Sequence, residues 1–275
     1  MMNEITLTKP VMLMKNIMLM KTTLPALLVF LFFHSAHSQI WQNKVNAHSH
    51  NDYEQKRPFA LAYENGFGSV EADIWLKEGR ICVSHDAKDI DINKTLSVLY
   101  LDPLTKRLEE NNGHAFADKK KTLQLLIDIK SDAVSTLEAL MGELKRYPSI
   151  TKNKNIRIVV SGNRPKPSDY EAYPSFIFFD GRPSEQYDKK ALKKVGLISE
   201  NYYKFAMWNG KGEIADNQRA ALVSVINKAH EMGKPFRFWA TPDTEASWKL
   251  FMEIGVDYIN TDKVEELAKF LIREK

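Results

Sequence analysis

The sequence SVEADIWLKEGRICVSH, residues Ser69–His85, decides how the predicted strands of this chain connect. It holds two apolar, β-rich segments, Ile74–Leu76 and Ile81–Val83, which are separated only by the four residues Lys77–Arg80. A crossover between parallel strands needs a dozen or more residues, whereas an antiparallel hairpin needs only a few. The two segments therefore form a hairpin, and the second strand runs against the first.

Short β-rich segments alternate with helical patterns along the rest of the chain. The predicted strands are Lys44–His50, Ser69–Leu76, Arg80–His85, Leu123–Lys130, Ile156–Ser161, Phe176–Asp180, Tyr203–Trp208, Phe236–Ala240 and Val256–Asn260. The predicted helices include Pro58–Asn65, Ala133–Arg146, Tyr187–Lys194, Asn217–Met232 and Glu245–Ile254. This alternation is typical of α/β proteins with parallel strands. Because one strand returns in the hairpin, eight parallel strands remain, and we predict a TIM-type (β/α)8 barrel with an extra hairpin strand after strand 2.

The composition is that of a globular protein: 275 residues, of which 44% are hydrophobic and 27% are charged. The formal net charge is +4, and half of it comes from Lys9, Lys15 and Lys21 against Glu4 in residues 1–38. A nucleic-acid-binding protein needs a basic surface that neutralises phosphates. Since residues 39–275 carry a net charge of only +2, we expect no nucleic-acid partner. As a separate expectation, the chain is a monomer.

The N-terminal residues have the pattern of a signal peptide. Lys21 precedes the apolar run Leu24–Phe33, and Ala36-His37-Ser38 is a small-x-small cleavage signal. An apolar run of about ten residues is half of the roughly twenty that a membrane span needs, so we expect no stable membrane anchor. We predict a signal peptide over residues 1–38, cleavage near Ser38, export to the periplasm or the extracellular space, and one domain over residues 39–275. Cys82 is the only cysteine, which excludes an intramolecular disulfide.

Acidic side chains, histidines and one lysine recur near the ends of the first predicted strands. In a barrel of this kind such residues gather around one mouth. They are His48, His50, Glu71, Asp73, His85, Asp128 and Lys130. Glu71 and Asp73 share one face of their strand, and two buried carboxylates side by side need a compensating charge. Because the expected ligands are oxygen atoms, we predict one divalent cation, Ca²⁺ or Mg²⁺.

The hairpin adds a histidine to this group. Its turn centres near Glu78, so Glu71 and His85 are expected to lie roughly opposite each other across the two strands. Arg164, Trp208 and Trp239, near the ends of later strands, either line the mouth and bind substrate or belong to the upper layer of the core.

Several motifs together resemble a known superfamily. They are Ser49–Tyr53, Ser69–Trp75, Val83–His85, Thr95–Leu104, Ser161–Asn163, Phe178–Asp180, Arg237–Trp239 and Asn260–Asp262. The chain is similar to the phospholipase-C-like phosphodiesterases, which include glycerophosphodiester phosphodiesterases and phosphatidylinositol phospholipases C. It most resembles the branch named for a fungal protein of altered inheritance of mitochondria. The Pro-Glu-Asn-Thr pattern of glycerophosphodiesterases is absent.

This resemblance implies a distorted TIM barrel with one divalent cation and two catalytic histidines. The residues that match its metal ligands are Asn51, Glu71, Asp73 and Asp128. His85 matches one general acid/base. The other is His50, by the Ser-His-Asn match, or His48, by the Ala-His pair, and we favour His50 with His48 as a substrate contact. Lys130 would offset the negative charge of the phosphate.

Three functions follow as hypotheses. The first is a secreted metal-dependent phosphodiesterase that acts on a small or lipid-derived phosphodiester, such as a glycerophosphodiester or a phospholipid head group, by histidine acid–base catalysis. The second is a binding barrel without catalysis, because fold does not dictate function. The third, an amidohydrolase-type metal site, rests on His48-x-His50 and would need further histidines at later strand ends. Outside this pair and the motifs above, residues 39–275 hold only His114 and His230. The head group, and hydrolysis against cyclic-phosphate formation, stay open.

Overall fold

The computed structural model describes residues 46–274 of the chain. The predicted signal peptide over residues 1–38 and its cleavage site near Ser38 lie outside the described residues. Among the helices of residues 46–274, none combines the length and the apolar character that crossing a bilayer requires.

Eight parallel strands form a closed ring, and a ninth strand lies outside it. In chain order the strands are β1 (Asn46–Ser49), β2 (Ser69–Lys77), β3 (Arg80–Val83), β4 (Leu123–Ile129), β5 (Ile156–Gly162), β6 (Ile177–Gly181), β7 (Val195–Asn201), β8 (Phe236–Trp239) and β9 (Tyr258–Thr261). The order around the ring is β1, β2, β4, β5, β6, β7, β8, β9, and β9 pairs with β1 to close it. The predicted TIM-type barrel with an extra hairpin strand is confirmed.

Helices connect most of the ring strands and cover the outside of the barrel. They are α1 (Ala60–Glu64), α2 (Asp102–Glu110), α3 (Ala133–Leu144), α4 (Pro148–Thr151), α5 (Lys189–Lys194), α6 (Asp216–Glu231), α7 (Glu245–Ile254) and α8 (Val264–Arg273). Local sequence explains their ends: α7 starts at a capping box of Thr244 and Ser247 and stops at Gly255, which takes the left-handed conformation. The five predicted helices are all present, with ends shifted by at most two residues.

The hairpin β2–β3 has a tight two-residue turn. Lys77 pairs with Arg80, and Glu78 and Gly79 between them have φ values of 50° and 74°, which a type I′ turn requires. This register places His85 one residue away from the expected position opposite Glu71. Ser84 N donates to Asp73 O, and the His85 side chain contacts Asp73 instead.

One predicted strand is wrong. Tyr203–Trp208 is not a strand, because Tyr202–Lys204 forms a 3₁₀ turn and the chain then continues as a loop. The sixth ring strand is β7, Val195–Asn201, directly after α5. Its sequence VGLISEN includes glycine, serine and glutamate, which lower β propensity, whereas the aromatic residues of the loop raise it.

The barrel interior has an apolar layer below a polar one. Leu126, Val159 and Leu197 pack together inside the ring, apart from the larger core between strands and helices. Because side chains two residues apart share a face, Asp128 and Ser161 lie in the next layer above Leu126 and Val159, toward the carboxyl ends of the strands. The polar residues are therefore concentrated at one mouth of the barrel.

Gly68 allows β1 and β2 to approach each other. A Cβ at this position would lie 1.8 Å from Asn46 Nδ2. Asn46 Oδ1 accepts hydrogen bonds from the backbone N–H of Gly68 at 2.8 Å and of Ala47 at 2.9 Å. The Asn46 side chain therefore links the start of β1 to the start of β2.

Replacement of Gly68 by alanine is expected to lower the free energy of unfolding by about 1–3 kcal/mol, because the new methyl group displaces Asn46. The matched control is Gly142→Ala in α3, where a Cβ meets no atom within 4 Å. That variant is expected to gain up to about 1 kcal/mol from helix propensity. Urea unfolding of both proteins measures the two values, and equal shifts would contradict this account of Gly68.

Candidate active site

A buried ion pair forms the floor of the polar layer. Glu71 Oε2 accepts from Arg237 Nη1 at 2.8 Å, and both side chains are almost fully buried. His48 Nε2 lies 2.7 Å from the same oxygen, and His48 Nδ1 lies 2.7 Å from Ser69 Oγ. Burial disfavours the charge of Glu71, but the Arg237 guanidinium and the His48 hydrogen bond outweigh it and hold the pKa of Glu71 well below its usual range.

His48 belongs to this floor and is fully buried. Burial and the nearby Arg237 charge lower the pKa of His48 to about 4, so its ring is neutral near pH 7. The predicted contact between His48 and substrate stays a prediction.

Asp73 and Asp128 lie above the floor, and Lys130 bridges them. Lys130 Nζ is 3.0 Å from Asp73 Oδ2 and 2.5 Å from Asp128 Oδ2. Asp73 Oδ1 is buried and has no hydrogen-bond partner among the described residues. Burial, followed by the negative charge of Glu71, raises the pKa of Asp73 to about 6. Burial and the negative charge of Glu71 also raise the pKa of Asp128. The two carboxylates share the single positive charge of Lys130.

Tyr53 joins three predicted site residues. Its hydroxyl is 2.9 Å from Asn51 Oδ1, 2.8 Å from Asp73 Oδ2 and 3.2 Å from His85 Nδ1. Asn51 follows β1 in a left-handed conformation with φ 44°, which asparagine tolerates better than most residues. His85 Nδ1 is also 3.3 Å from Asp73 Oδ2, and 54% of the His85 side chain is exposed.

His50 lies just past the end of β1, at the same mouth. Its Nδ1 is 2.8 Å from Asp262 Oδ1, and 28% of its side chain is exposed. Burial lowers the pKa of His50, but the hydrogen bond and charge of Asp262, with the charge of Glu71, outweigh it and raise the pKa above the ordinary value. A carboxylate on Nδ1 orients an imidazole so that its Nε2 faces outward for proton transfer.

Among the described residues, the three residues predicted on later strands make no hydrogen bond to this group. Arg164 donates to Tyr170 Oη and Glu185 Oε1, both at 2.8 Å. Trp208 Nε1 donates to the carbonyl oxygens of residues 211 and 212, within its own loop. Trp239 is half-buried at the end of β8. Their substrate-binding role stays a prediction.

The histidines are not arranged as an amidohydrolase site. His48 and His50 bind different partners, in the floor and at the rim. His114 Nδ1 is 3.2 Å from Asn155 Oδ1, and His230 Nε2 is 2.7 Å from Asp257 Oδ2, both near the amino ends of strands. The described residues therefore place no further histidine at the mouth.

Comparisons with known proteins identify the family of this chain. A family model described as the AIM6-like phosphodiesterase domain matches residues 38–165, and a glycerophosphoryl diester phosphodiesterase family model matches residues 235–265. Altered inheritance of mitochondria protein 6 of Kluyveromyces lactis is 30% identical over 82% of this chain and 72% of that protein. The chain belongs to the AIM6-like phosphodiesterase family. The corresponding protein of Eremothecium gossypii is 29% identical over 82% of this chain and 69% of its own length.

A solved structure shares the fold of this AIM6-like chain. It is a glycerophosphodiester phosphodiesterase from Parabacteroides distasonis, with a TM-score of 0.54 and 17% identity over 84% of this chain and 99% of that chain. At this identity the likeness shows the fold.

A cation implied by the superfamily fits the chemistry of Asp73 and Asp128. Both are oxygen donors of the kind that Ca²⁺ and Mg²⁺ prefer, and Asp73 Oδ1 has no partner in the described residues. Within residues 46–274, no three His, Cys, Asp or Glu side chains are arranged as a metal site as they stand. The reason is that Lys130 already lies between Asp73 and Asp128, and Arg237 already binds Glu71.

Sequence reasoning missed three polar residues of this AIM6-like site. Arg237, Tyr53 and Asp262 each lie in a quoted motif, but none was assigned a role. Only Arg237 carried a usable signal, because an arginine within the apolar strand sequence FRFW must find a buried acid. The contacts of Tyr53 and Asp262 depend on loop geometry that the sequence does not specify.

Removing the positive charge of Arg237 should strongly destabilise this AIM6-like barrel. We expect Arg237→Met to lower the free energy of unfolding by about 3–5 kcal/mol, because Glu71 stays buried without its counter-charge. The control is Arg219→Gln, which removes an exposed ion pair with Glu253 and should change the free energy by less than about 1 kcal/mol. Chemical denaturation measures both, and a small effect of Arg237→Met would show that Glu71 is compensated in another way.

Proposed function

We propose that this chain is a metal-dependent phosphodiesterase in which His50 and His85 act as the general acid and base. The observation that carries the proposal is the placement of these two imidazoles at one mouth. Each is partly exposed, and each has its Nδ1 beside a carboxylate, Asp262 for His50 and Asp73 for His85. Together with Asp128, this gives acid–base groups and cation ligands around one space.

The residues divide the work of cleaving a phosphodiester. One imidazole takes a proton from the nucleophile, which is a water or a neighbouring hydroxyl of the substrate, and the other donates a proton to the leaving oxygen. Lys130 carries positive charge next to the reacting group, since Asp128 and Asp73 outweigh burial and raise its pKa. That charge offsets the negative charge of the phosphate.

A bound Ca²⁺ or Mg²⁺ would add electrostatic stabilisation of the phosphate oxygens. Asp73 and Asp128 would hold the ion, with the Asn51 amide oxygen and Glu71 as further oxygen donors. Glu71 is the least available of the four, because Arg237 and His48 bind its Oε2.

The substrate we propose is a small or lipid-derived phosphodiester, processed by a monomeric, exported chain. A phosphorus NMR screen of lipid and deacylated head-group diesters, run in parallel with Ca²⁺ and Mg²⁺, identifies both the head group and the product. A phosphomonoester signal indicates attack by water, and a cyclic phosphate indicates attack by a neighbouring hydroxyl.

One observation favours a second candidate, a binding barrel without catalysis. Lys130 and Arg237 already pair with the three carboxylates of the site, so they compensate part of the negative charge that a bound cation would otherwise neutralise. Binding of a phosphodiester with no new phosphorus species in the screen would support this candidate over the enzyme.

Alanine at His50 or His85 should abolish most of the activity without unfolding the protein. We expect kcat for bis-p-nitrophenyl phosphate to fall by about 10²–10⁴-fold, the usual contribution of one acid–base group. The melting temperature should change little, because both side chains are partly exposed.

Two other histidines serve as controls for that assay. His114→Ala, near the amino end of β4, should keep the activity. His48→Ala should lower the melting temperature, because it opens a buried network. The first catalytic histidine would be His48 if His48→Ala lowered kcat by about 10²–10⁴-fold at an unchanged melting temperature while His50→Ala kept the wild-type kcat.

Chelation should remove activity, and the carboxylate pair should govern metal affinity. We expect EDTA to stop turnover and added Ca²⁺ or Mg²⁺ to restore it. Calorimetric titration of the protein with each ion should show at least about tenfold weaker binding for Asp128→Asn. Asp118→Asn, in the exposed loop before β4, is the control. Full activity in EDTA would contradict metal dependence while leaving the histidine mechanism standing.

A further inference from the structure

A second polar cluster lies beside the carboxylate pair, on β5, β6 and β7. At its centre is Asp180, a fully buried residue of β6. Asp180 Oδ2 accepts three hydrogen bonds, from Ser161 Oγ at 2.9 Å, Ser199 Oγ at 2.5 Å and Arg182 Nη1 at 2.9 Å. Asp180 Oδ1 is buried and has no hydrogen-bond partner among residues 46–274. Oδ2 therefore accepts three hydrogen bonds, and Oδ1 accepts none from these residues.

Arg182 also has unused hydrogen-bonding capacity. All of its side-chain hydrogen bonds to the described residues pass through Nη1, which contacts Asp180 and Ser199. Its Nη2 and Nε have no partner in that part of the chain, and 24% of the side chain is exposed. The Asp180 carboxylate thus fixes one end of the guanidinium and leaves the other end for a ligand.

The cluster is continuous with the proposed reaction centre. Asp128 on β4 is paired in register with Ser161 on β5, and Ser161 donates to Asp180. In the ring order, β6 lies opposite β1, and His50 directly follows β1. A diester whose phosphate lies beside His50, His85 and Asp128 would therefore extend one of its alcohol groups toward Asp180.

We infer that Asp180 and Arg182 form a subsite that binds a hydroxyl-bearing, polyol head group of the substrate. The inference rests on the proposed phosphodiesterase function and deepens it. A buried carboxylate oxygen without a partner requires a hydrogen-bond donor, and a hydroxyl supplies one. The unused guanidinium N–H groups donate to the oxygen atoms of the same or a neighbouring hydroxyl. A choline head group offers no donor for Asp180 and carries the same charge as Arg182, so this subsite selects against it.

The test compares two diesters that share the phosphate and a 4-nitrophenyl group, 4-nitrophenyl inositol phosphate and 4-nitrophenyl phosphocholine, so that only the inositol diester carries hydroxyls. For the wild-type protein we expect a higher kcat/KM with the inositol diester. Asp180→Asn should lower kcat/KM for the inositol diester by about tenfold, because a charge-assisted hydrogen bond becomes a neutral one. The choline diester should change by less than about threefold. Arg182→Gln should show the same selective loss.

Ser199→Ala is the matched control. It removes one of the three bonds to Asp180 Oδ2 but leaves Oδ1 in place. If Ser199→Ala lowered kcat/KM for the inositol diester as much as Asp180→Asn does, Asp180 would act only by holding neighbouring side chains in place. An equal loss on both diesters in Asp180→Asn and Arg182→Gln, or no preference in the wild type, would also overturn the subsite.

A binding measurement separates the subsite from the proposed catalysis. Inositol 1-phosphate is titrated into His85→Ala protein and into the same protein carrying Asp180→Asn or Arg182→Gln, with chemical-shift changes as the readout. Loss of binding in the double variants, with no diester turned over by the wild type, supports the subsite and rejects the phosphodiesterase. Turnover of both diesters with unchanged inositol 1-phosphate binding in the double variants supports the enzyme and rejects the subsite.

Discussion

The compensation of negative charge inside the barrel is the constraint on which the structure depends. Four carboxylates lie in or just above the interior, and an uncompensated one would cost several kcal/mol. Arg237 binds Glu71, Lys130 binds Asp73 and Asp128, and Arg182 binds Asp180. Each cation therefore fixes the position of a carboxylate, and the remaining deficit is concentrated at Asp73 and Asp128. A divalent cation bound there would change the balance of charge most.

The sequence predicted the barrel and most of the site because both depend on local patterns. The four-residue connection at Lys77–Arg80 excluded a crossover, and this gave the number of ring strands. Strand ends then gathered Asn51, Asp73 and Asp128 at one mouth, since parallel strands share their direction. These steps need only spacing and alternation, and they do not need the exact register.

Other features were beyond sequence reasoning because they depend on packing. The strand Val195–Asn201 has a glycine and polar residues that only its burial explains. Whether His85 faces Glu71 or Asp73 depends on a single residue in the turn, and a shift of one residue moves every side chain of a strand to the other face. The role of Arg237 depends on its long side chain reaching across the interior to Glu71.

The return strand β3 has a consequence for how this family can change. His85 follows a strand that is outside the closed ring, whereas His50 and the carboxylates are attached to the ring itself. Changes in the length or angle of the hairpin can move one proton-transfer group while the barrel keeps all of its parallel pairings. Substitutions in this hairpin can therefore move one of the two proposed acid–base groups with little effect on the folding stability of the barrel.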